Sequence, residues 1–214
     1  LMTSNLLKDS ERQTVGETLR KLVKRLGEPV VRTVAGQAMK EMGRQFVLGR
    51  DIEEAQSEAK SYMAKGYTYS YDMLGEAART DADARRYFES YSQAIDSIAK
   101  NCKGDVRKNP GISVKLSALL ARYEYGNKER VMAELLPRAL MLVKKAAAAN
   151  MGFNIDAEEQ DRLDLSLDVI EGILSDPDLA GWDGFGVVVQ AFAKRASYTL
   201  DWLYALSEKL DRRI

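Results

Sequence analysis

The chain has 214 residues, 45% hydrophobic and 30% charged, a composition that excludes a disordered polypeptide and allows one sizeable domain or two small ones. Thirty-two basic residues balance 32 acidic ones, so no global field steers the chain toward nucleic acid or an anionic membrane. Histidine is absent and cysteine occurs once, at Cys102, which excludes Ser-His-Asp, Cys-His and His-metal chemistry and any internal disulfide, and fits a reducing cytosol. No apolar run is long enough to cross a bilayer.

The chain opens with helical spacing. Residues 14–26 place Val15, Leu19, Leu22 and Leu26 on one stripe, and a second helix is expected over 28–48, with Pro29 in its first turn after Gly27. Residues 51–65 begin with an acid-rich turn, as the helix dipole favours, and stop at Gly66. The period then changes. "YTYSYDML" (67–74) alternates and reads as a strand, and a helix follows from a cap at Thr80 to about Lys100.

"PGISVKLSAL" (110–119) is the next β-rich run, followed by a helix capped at Asn127 and kinked by Pro137. "GFNID" (152–156) predicts a third strand, and Leu163, Leu167, Ile170 and Leu174 the stripe of the next helix. "GFGVVVQA" (184–191) is nearly all apolar, as a strand buried on both faces should be. Ser197 can cap a last helix carrying Leu200, Leu203, Leu206 and Leu210.

Strands that recur every 30–45 residues, each followed by a helix, predict a parallel sheet with right-handed crossovers. A doubly wound nucleotide fold would carry a Gly-rich turn after its first strand; "DMLGEAA" has no G-x-G-x-x-G. The expected class is therefore α/β: a helical segment over 1–65, then over 66–214 the first four βα units of a (β/α)₈ barrel, cut before strand five.

Barrel enzymes carry their chemistry at the C-terminal ends of the strands. Those ends hold Asp72 and Glu76, Lys115 and Ser117, Asp156 and Glu158, and Gln190. Polar side chains closing four apolar runs at one end point to a site, because each is costly to bury without a partner. Lys115 suits a carboxylate, or a Schiff base if burial depresses its pKa. Asp156 can be a base, a metal ligand or an orienter. Gln190 offers a donor and acceptors to a heteroaromatic edge. A hard cation among the carboxylates is disfavoured by Lys115, and no metal is assigned.

The runs "MGRQFVLGRDIEEA", "YSYDMLGEAARTDADARRYFESY", "GISVKLSAL", "GFNIDAEEQDRLDLSLDVIE" and "DLAGWDGFGVVVQAFAKRA" resemble the FAD-dependent proline dehydrogenase domain of the bifunctional proline utilization A family, from about Gly36 to Trp202. The resemblance implies a distorted (β/α)₈ barrel. It also implies oxidation of L-proline to pyrroline-5-carboxylate by hydride transfer to FAD, with electrons passed to a membrane quinone. By the same resemblance Lys115 contacts the substrate carboxylate and Asp156 is the active-site aspartate. Ala157 lies beside the flavin, Gln190 bonds its ring, and Glu76 pairs with a substrate-binding arginine, with Asp72 nearby.

Where relatives often read "SALHPRY", this chain reads "SALLARY" (117–123). The implied location is cytoplasmic, with the intact protein peripheral to the inner membrane. The motifs for strand five and the arginine clamp are not in the sequence, so the chain alone is expected to lack turnover. Other readings are a non-catalytic half barrel that self-associates through unpaired edges, and a Lys115 Schiff-base lyase. No nucleic-acid partner is expected for this segment.

Overall fold

Four short strands, β1 (Ser70–Asp72), β2 (Gly111–Val114), β3 (Gly152–Ile155) and β4 (Phe185–Val187), pair in parallel in the order β1-β2-β3-β4. Sequential order with no reversal is the winding of a barrel and lacks the strand-order switch of a doubly wound sheet. The computed structural model describes residue 21 and residues 27–43 and 46–214. Of the helix expected over 14–26, residue 21 is described and is helical; the rest lies outside the described residues.

The chain divides into two units, Leu1–Arg50 and Asp51–Ile214. In the first, α1 (Glu28–Gly43) stops short of residue 48, and the Gly43 carbonyl accepts the N–H groups of Phe46 and Val47. The second unit starts at α2 (Ile52–Met63), whose N-cap Asp51 accepts the Glu54 N–H at 2.8 Å. Although α2 reads from sequence with the 1–65 segment, its Ile52, Ala55 and Ala59 belong to the same hydrophobic core as the strands.

Helix α3 (Asp81–Ala99) starts where expected. Thr80 Oγ1 accepts the Asp83 N–H, and Asp83 returns a carboxylate oxygen to the Thr80 N–H, a reciprocal capping box. The helix after β2 departs from expectation. Asn127 does not cap it; its Nδ2 donates to the Arg122 carbonyl at 3.2 Å instead. Lys128–Arg130 form one α turn, Val131–Leu135 wind as a π-helix, and α4 (Leu136–Ala148) follows. Pro137 lacks an N–H, and its ring would crowd the carbonyl four residues back; the wider π turn opens that space.

In α5 (Leu163–Leu174) the buried stripe is Leu165, Val169, Ile170, Ile173 and Leu174, rotated from the one expected. The helix is apolar on two adjacent faces, so period alone does not choose between them. Helix α6 (Ala196–Leu210) has Arg195, not Ser197, at its N-cap; it buries Thr199, Leu203 and Leu206 and leaves Leu200 exposed.

Strands β1 and β4 span three residues each, and β2 gives way at Leu116–Ala118 to a 3₁₀ turn. Val188, just past β4, is 41% exposed, so this run is not buried on both faces. Its apolar character reflects one covered face and an edge. Ile112, Val114, Phe153 and Ile155 are all within 1% of complete burial in the core shared with the helices. Phe153 and Ile155 therefore point toward the helices.

Candidate functional site

The alternate positions of the same strands build the opposite face. Successive strand residues point to opposite sides of a sheet, so Ser70, Asp72, Ser113 and Asn154 share the face that the core leaves open. Ser70 Oγ lies 3.1 Å from Ser113 Oγ, and Asn154 Nδ2 donates to Ser70 Oγ at 3.1 Å, reaching across β2. The face is thus knit by side-chain hydrogen bonds where a closed barrel would carry apolar layers.

At its C-terminal end the polar face becomes charged. Lys115 Nζ lies 2.8 Å from Asp72 Oδ2, 3.0 Å from Asp72 Oδ1 and 2.8 Å from Asp156 Oδ2. The other Asp156 oxygen accepts the Ala157 N–H at 3.0 Å. Lys115 is held from behind as well, its own N–H directed at the buried Tyr91 hydroxyl at 3.4 Å. Burial, the largest cause, outweighs the opposing Lys115 amide and charge and pushes the Tyr91 phenol up to about 12, so it stays neutral.

Burial also works to lower the Lys115 pKa, but hydrogen bonds and charges from Asp156 and then Asp72 outweigh it and hold it above the ordinary lysine range. Lys115 is therefore a fixed cation. A Schiff-base role needs a free amine, and this environment removes it.

A cleft of about 390 Å³ opens beside this cluster and is lined by Lys115, Glu76, Ala157 and Gln190, together with Ser117 and Glu158. Asp72 is joined to the cleft through Lys115 and does not line it. Glu76 is exposed, and neither it nor the Gln190 carboxamide makes a side-chain hydrogen bond within the described residues. The residues singled out in the sequence thus fall into one ion-paired cluster and one cleft, with Lys115 common to both.

Ser117 and Glu158 stood out in the sequence only as polar strand ends, yet they join the loops around the cleft. Glu158 Oε1 accepts the Ser117 N–H at 3.0 Å, and Arg162 Nη1 lies 3.7 Å from Glu158 Oε2. Burial raises the Glu158 pKa; hydrogen bonds from the Ser117 hydroxyl and amide and the nearby Arg162 charge offset part of that rise. Their one sequence signal is a hydroxyl and a carboxyl two residues beyond Lys115 and Asp156 on neighbouring strands.

Comparison with known proteins agrees with this architecture. A family model described as proline dehydrogenase matches residues 55–214, and one described as the DNA-binding domain of proline dehydrogenase matches residues 1–46. The bifunctional protein PutA of Klebsiella aerogenes is 45% identical over 215 residues, covering 100% of this chain and 16% of that protein. The Rhizobium meliloti protein of the same name is 45% identical over 214 residues, covering 100% of the chain and 17% of its own length. A crystal structure of a Bradyrhizobium japonicum proline utilization A variant superposes with a TM-score of 0.74 at 53% identity, over 90% of this chain and 20% of that one. The chain thus spans about a sixth of the curated relatives it matches most fully.

The match at 1–46 overturns the expectation that this segment has no nucleic-acid partner. Whole-chain neutrality concealed a division of charge: residues 1–46 hold nine basic and five acidic residues, whereas 47–214 hold 23 and 27. With the family model covering three quarters of its length and the cleft at the strand ends, the chain belongs to the proline dehydrogenase family.

Proposed function

We propose that residues 51–214 are the part of a flavin-dependent proline dehydrogenase that forms one wall of the proline and flavin site. The observation that carries this reading is Lys115, fixed as a cation between Asp72 and Asp156 on the wall of the Glu76–Ala157–Gln190 cleft. The reaction is oxidation of L-proline to pyrroline-5-carboxylate, with electrons passing to a quinone. The reading carries with it the location that the resemblance implies, cytoplasmic, with the intact form meeting the membrane peripherally.

The residues fit a flavin. Ala157 adds only a methyl group to the cleft wall, and the Gln190 carboxamide, free of protein partners among the described residues, has donor and acceptors for a ring edge. FAD, when bound, supplies the two-electron acceptor. The chain's own residues hold and orient. An ammonium has three N–H donors, and those of Lys115 face Asp72 and Asp156; the substrate carboxylate would take over one of the two contacts to Asp72.

Charge adds a condition. Asp72, Asp156 and Glu76 against Lys115 leave this wall net negative, which favours the amine end of a zwitterion and requires further cations for its carboxylate. The pairing of Glu76 with a substrate-binding arginine, implied by the resemblance, would supply that balance. Four strands are half of the eight in a closed barrel, so the chain alone is expected not to turn over proline.

The test is the colour of the protein. A parent protein containing this chain should show a flavin absorbance band that bleaches with L-proline, and Lys115→Ala in that parent should raise KM for proline. A colourless parent that stays inactive with added FAD would refute the reading.

A second activity rests on a separate observation. The DNA-binding family match and the local excess of basic residues in 1–46 support DNA binding by the N-terminal unit. A gel-shift titration of the whole chain should show affinity falling steeply with salt, as counterion release requires. Equal affinity at low and high salt, or none, would remove it. Self-association through the free edges of β1 and β4 is a further reading, supported by the open sheet. Elution at monomer mass in sizing chromatography would count against it.

A further inference from the structure

We infer that Ser117, backed by Glu158, is a positioning residue that fixes the Glu76 loop over the cleft. The inference rests on the proposed function only for what the cleft binds. From Met73 to Thr80 the chain has no regular secondary structure, and Glu76 sits in its middle. A segment without a ladder has to find partners for its backbone elsewhere.

For the two residues after Glu76 that partner is Ser117. Ser117 Oγ accepts the Ala77 N–H at 2.9 Å, and the Ser117 carbonyl accepts the Ala78 N–H at 2.9 Å. Both residues following Glu76 are thereby tied to the 3₁₀ turn that begins just after Lys115. Ser117 is 2% exposed, so water does not compete for these bonds.

The loop is held in a conformation it would not choose alone. Ala77 has a φ of +50°, in the left-handed region that alanine avoids. Gly75 has a φ of +142°, and a Cβ there would lie 2.4 Å from the Tyr87 ring. Such a backbone persists where its surroundings over-determine it. Ser117 does so from the β2 side. Its own N–H donates to Glu158 Oε1 and carries the constraint on to the β3 loop that presents Asp156 and Ala157. Lys115, Glu76 and Ala157 thus sit on three loops that share the Ser117–Glu158 pair, and all line the same cleft.

Hydrogen exchange of the intact 214-residue chain tests the device without flavin or proline. Ser117→Ala should speed exchange at the Ala77 amide by roughly tenfold, the loss of one hydrogen bond of ordinary net strength, with circular dichroism unchanged. Glu158→Ala should loosen the same segment, and Glu158→Gln, which keeps an acceptor of the same reach, should restore it. Unchanged exchange in a folded Ser117→Ala chain would overturn the inference, as would Glu158→Gln loosening the loop as much as Glu158→Ala. In a parent enzyme Glu158→Ala should raise KM for proline more than it lowers kcat, with Glu158→Gln near wild type. If the loop loosens but KM stays constant, the positioning role falls while the family assignment stands.

Discussion

The two faces of the four-stranded sheet carry opposite chemistry on the same short strands. Toward the helices stand Ile112, Val114, Phe153 and Ile155, excluded from water and stacked, with the Phe153 and Phe185 rings 6.5 Å apart at 11°. On the other face stand Ser70, Ser113 and Asn154, then Asp72, Lys115 and Asp156, bonded to one another and partly wet. The strand pleat assigns stability to one set of alternate residues and leaves the other free for recognition. Substitutions on the two faces should therefore fail in different ways.

The largest effect is expected on the helix side. Phe153→Ala removes a ring that is 0% exposed and should cost about 3–5 kcal/mol, read as a lower urea midpoint at unchanged slope. A loss below 1 kcal/mol would mean that the helix side is not the core.

Next comes Lys115→Met on the open side. It leaves Asp72 and Asp156 facing each other without their cation. Asp72 is 45% exposed, so screening limits the cost to about 1–2 kcal/mol. The sign of its pH dependence follows from the raised Lys115 pKa. The stabilisation is complete below the ordinary lysine value and is lost as pH rises through the folded one. The difference between variant and wild type should thus be flat across neutral pH and shrink only in strong alkali.

Gly186→Ala probes the hydrogen-bonded layer beneath. A Cβ at Gly186 would lie 2.1 Å from Asn154 Oδ1 and must push the amide off Ser70, at about 1 kcal/mol, the net value of that bond. Adding Asn154→Ala should make the glycine change nearly neutral, and additive costs in a double-mutant cycle would contradict the contact.

Smallest is Glu158→Gln. Burial raises the Glu158 pKa, so the folded state holds that proton longer than the unfolded chain. The wild type loses this stabilisation as pH rises from the ordinary glutamate value through the folded one. The variant, which does not titrate, should gain stability relative to wild type over that window and match its pH dependence elsewhere.

The sequence was most legible where one residue type admits one local solution. Thr80, read as a cap, caps α3 with Asp83, and the acid-rich start read at 51 opens α2. The four strands lie inside the runs read for them, but shorter, because apolar alternation continues past the point where a neighbour is available to pair. Period also failed to choose between adjacent apolar stripes in α5, and it does not encode the π turn ahead of Pro137.

For the site, the C-terminal strand ends were legible as polar stops to apolar runs, and the motif resemblance supplied roles for Lys115, Asp156 and Gln190. Their company was not legible. That Lys115 bridges two aspartates 41 and 43 residues away follows from strand register alone. The charge of the first 46 residues was present in the sequence and was lost by averaging.

By itself the sequence determined the α/β alternation, the lack of histidine in these 214 residues and the family, because composition, period and long motifs are properties of contiguous residues. Only the tertiary structure decided which sheet face is core, that Lys115 is a fixed cation rather than a nucleophile, and that Ser117 holds the Glu76 loop. Each of these depends on groups about 40 residues apart meeting in a partly dry space, where burial and hydrogen bonding set the energy.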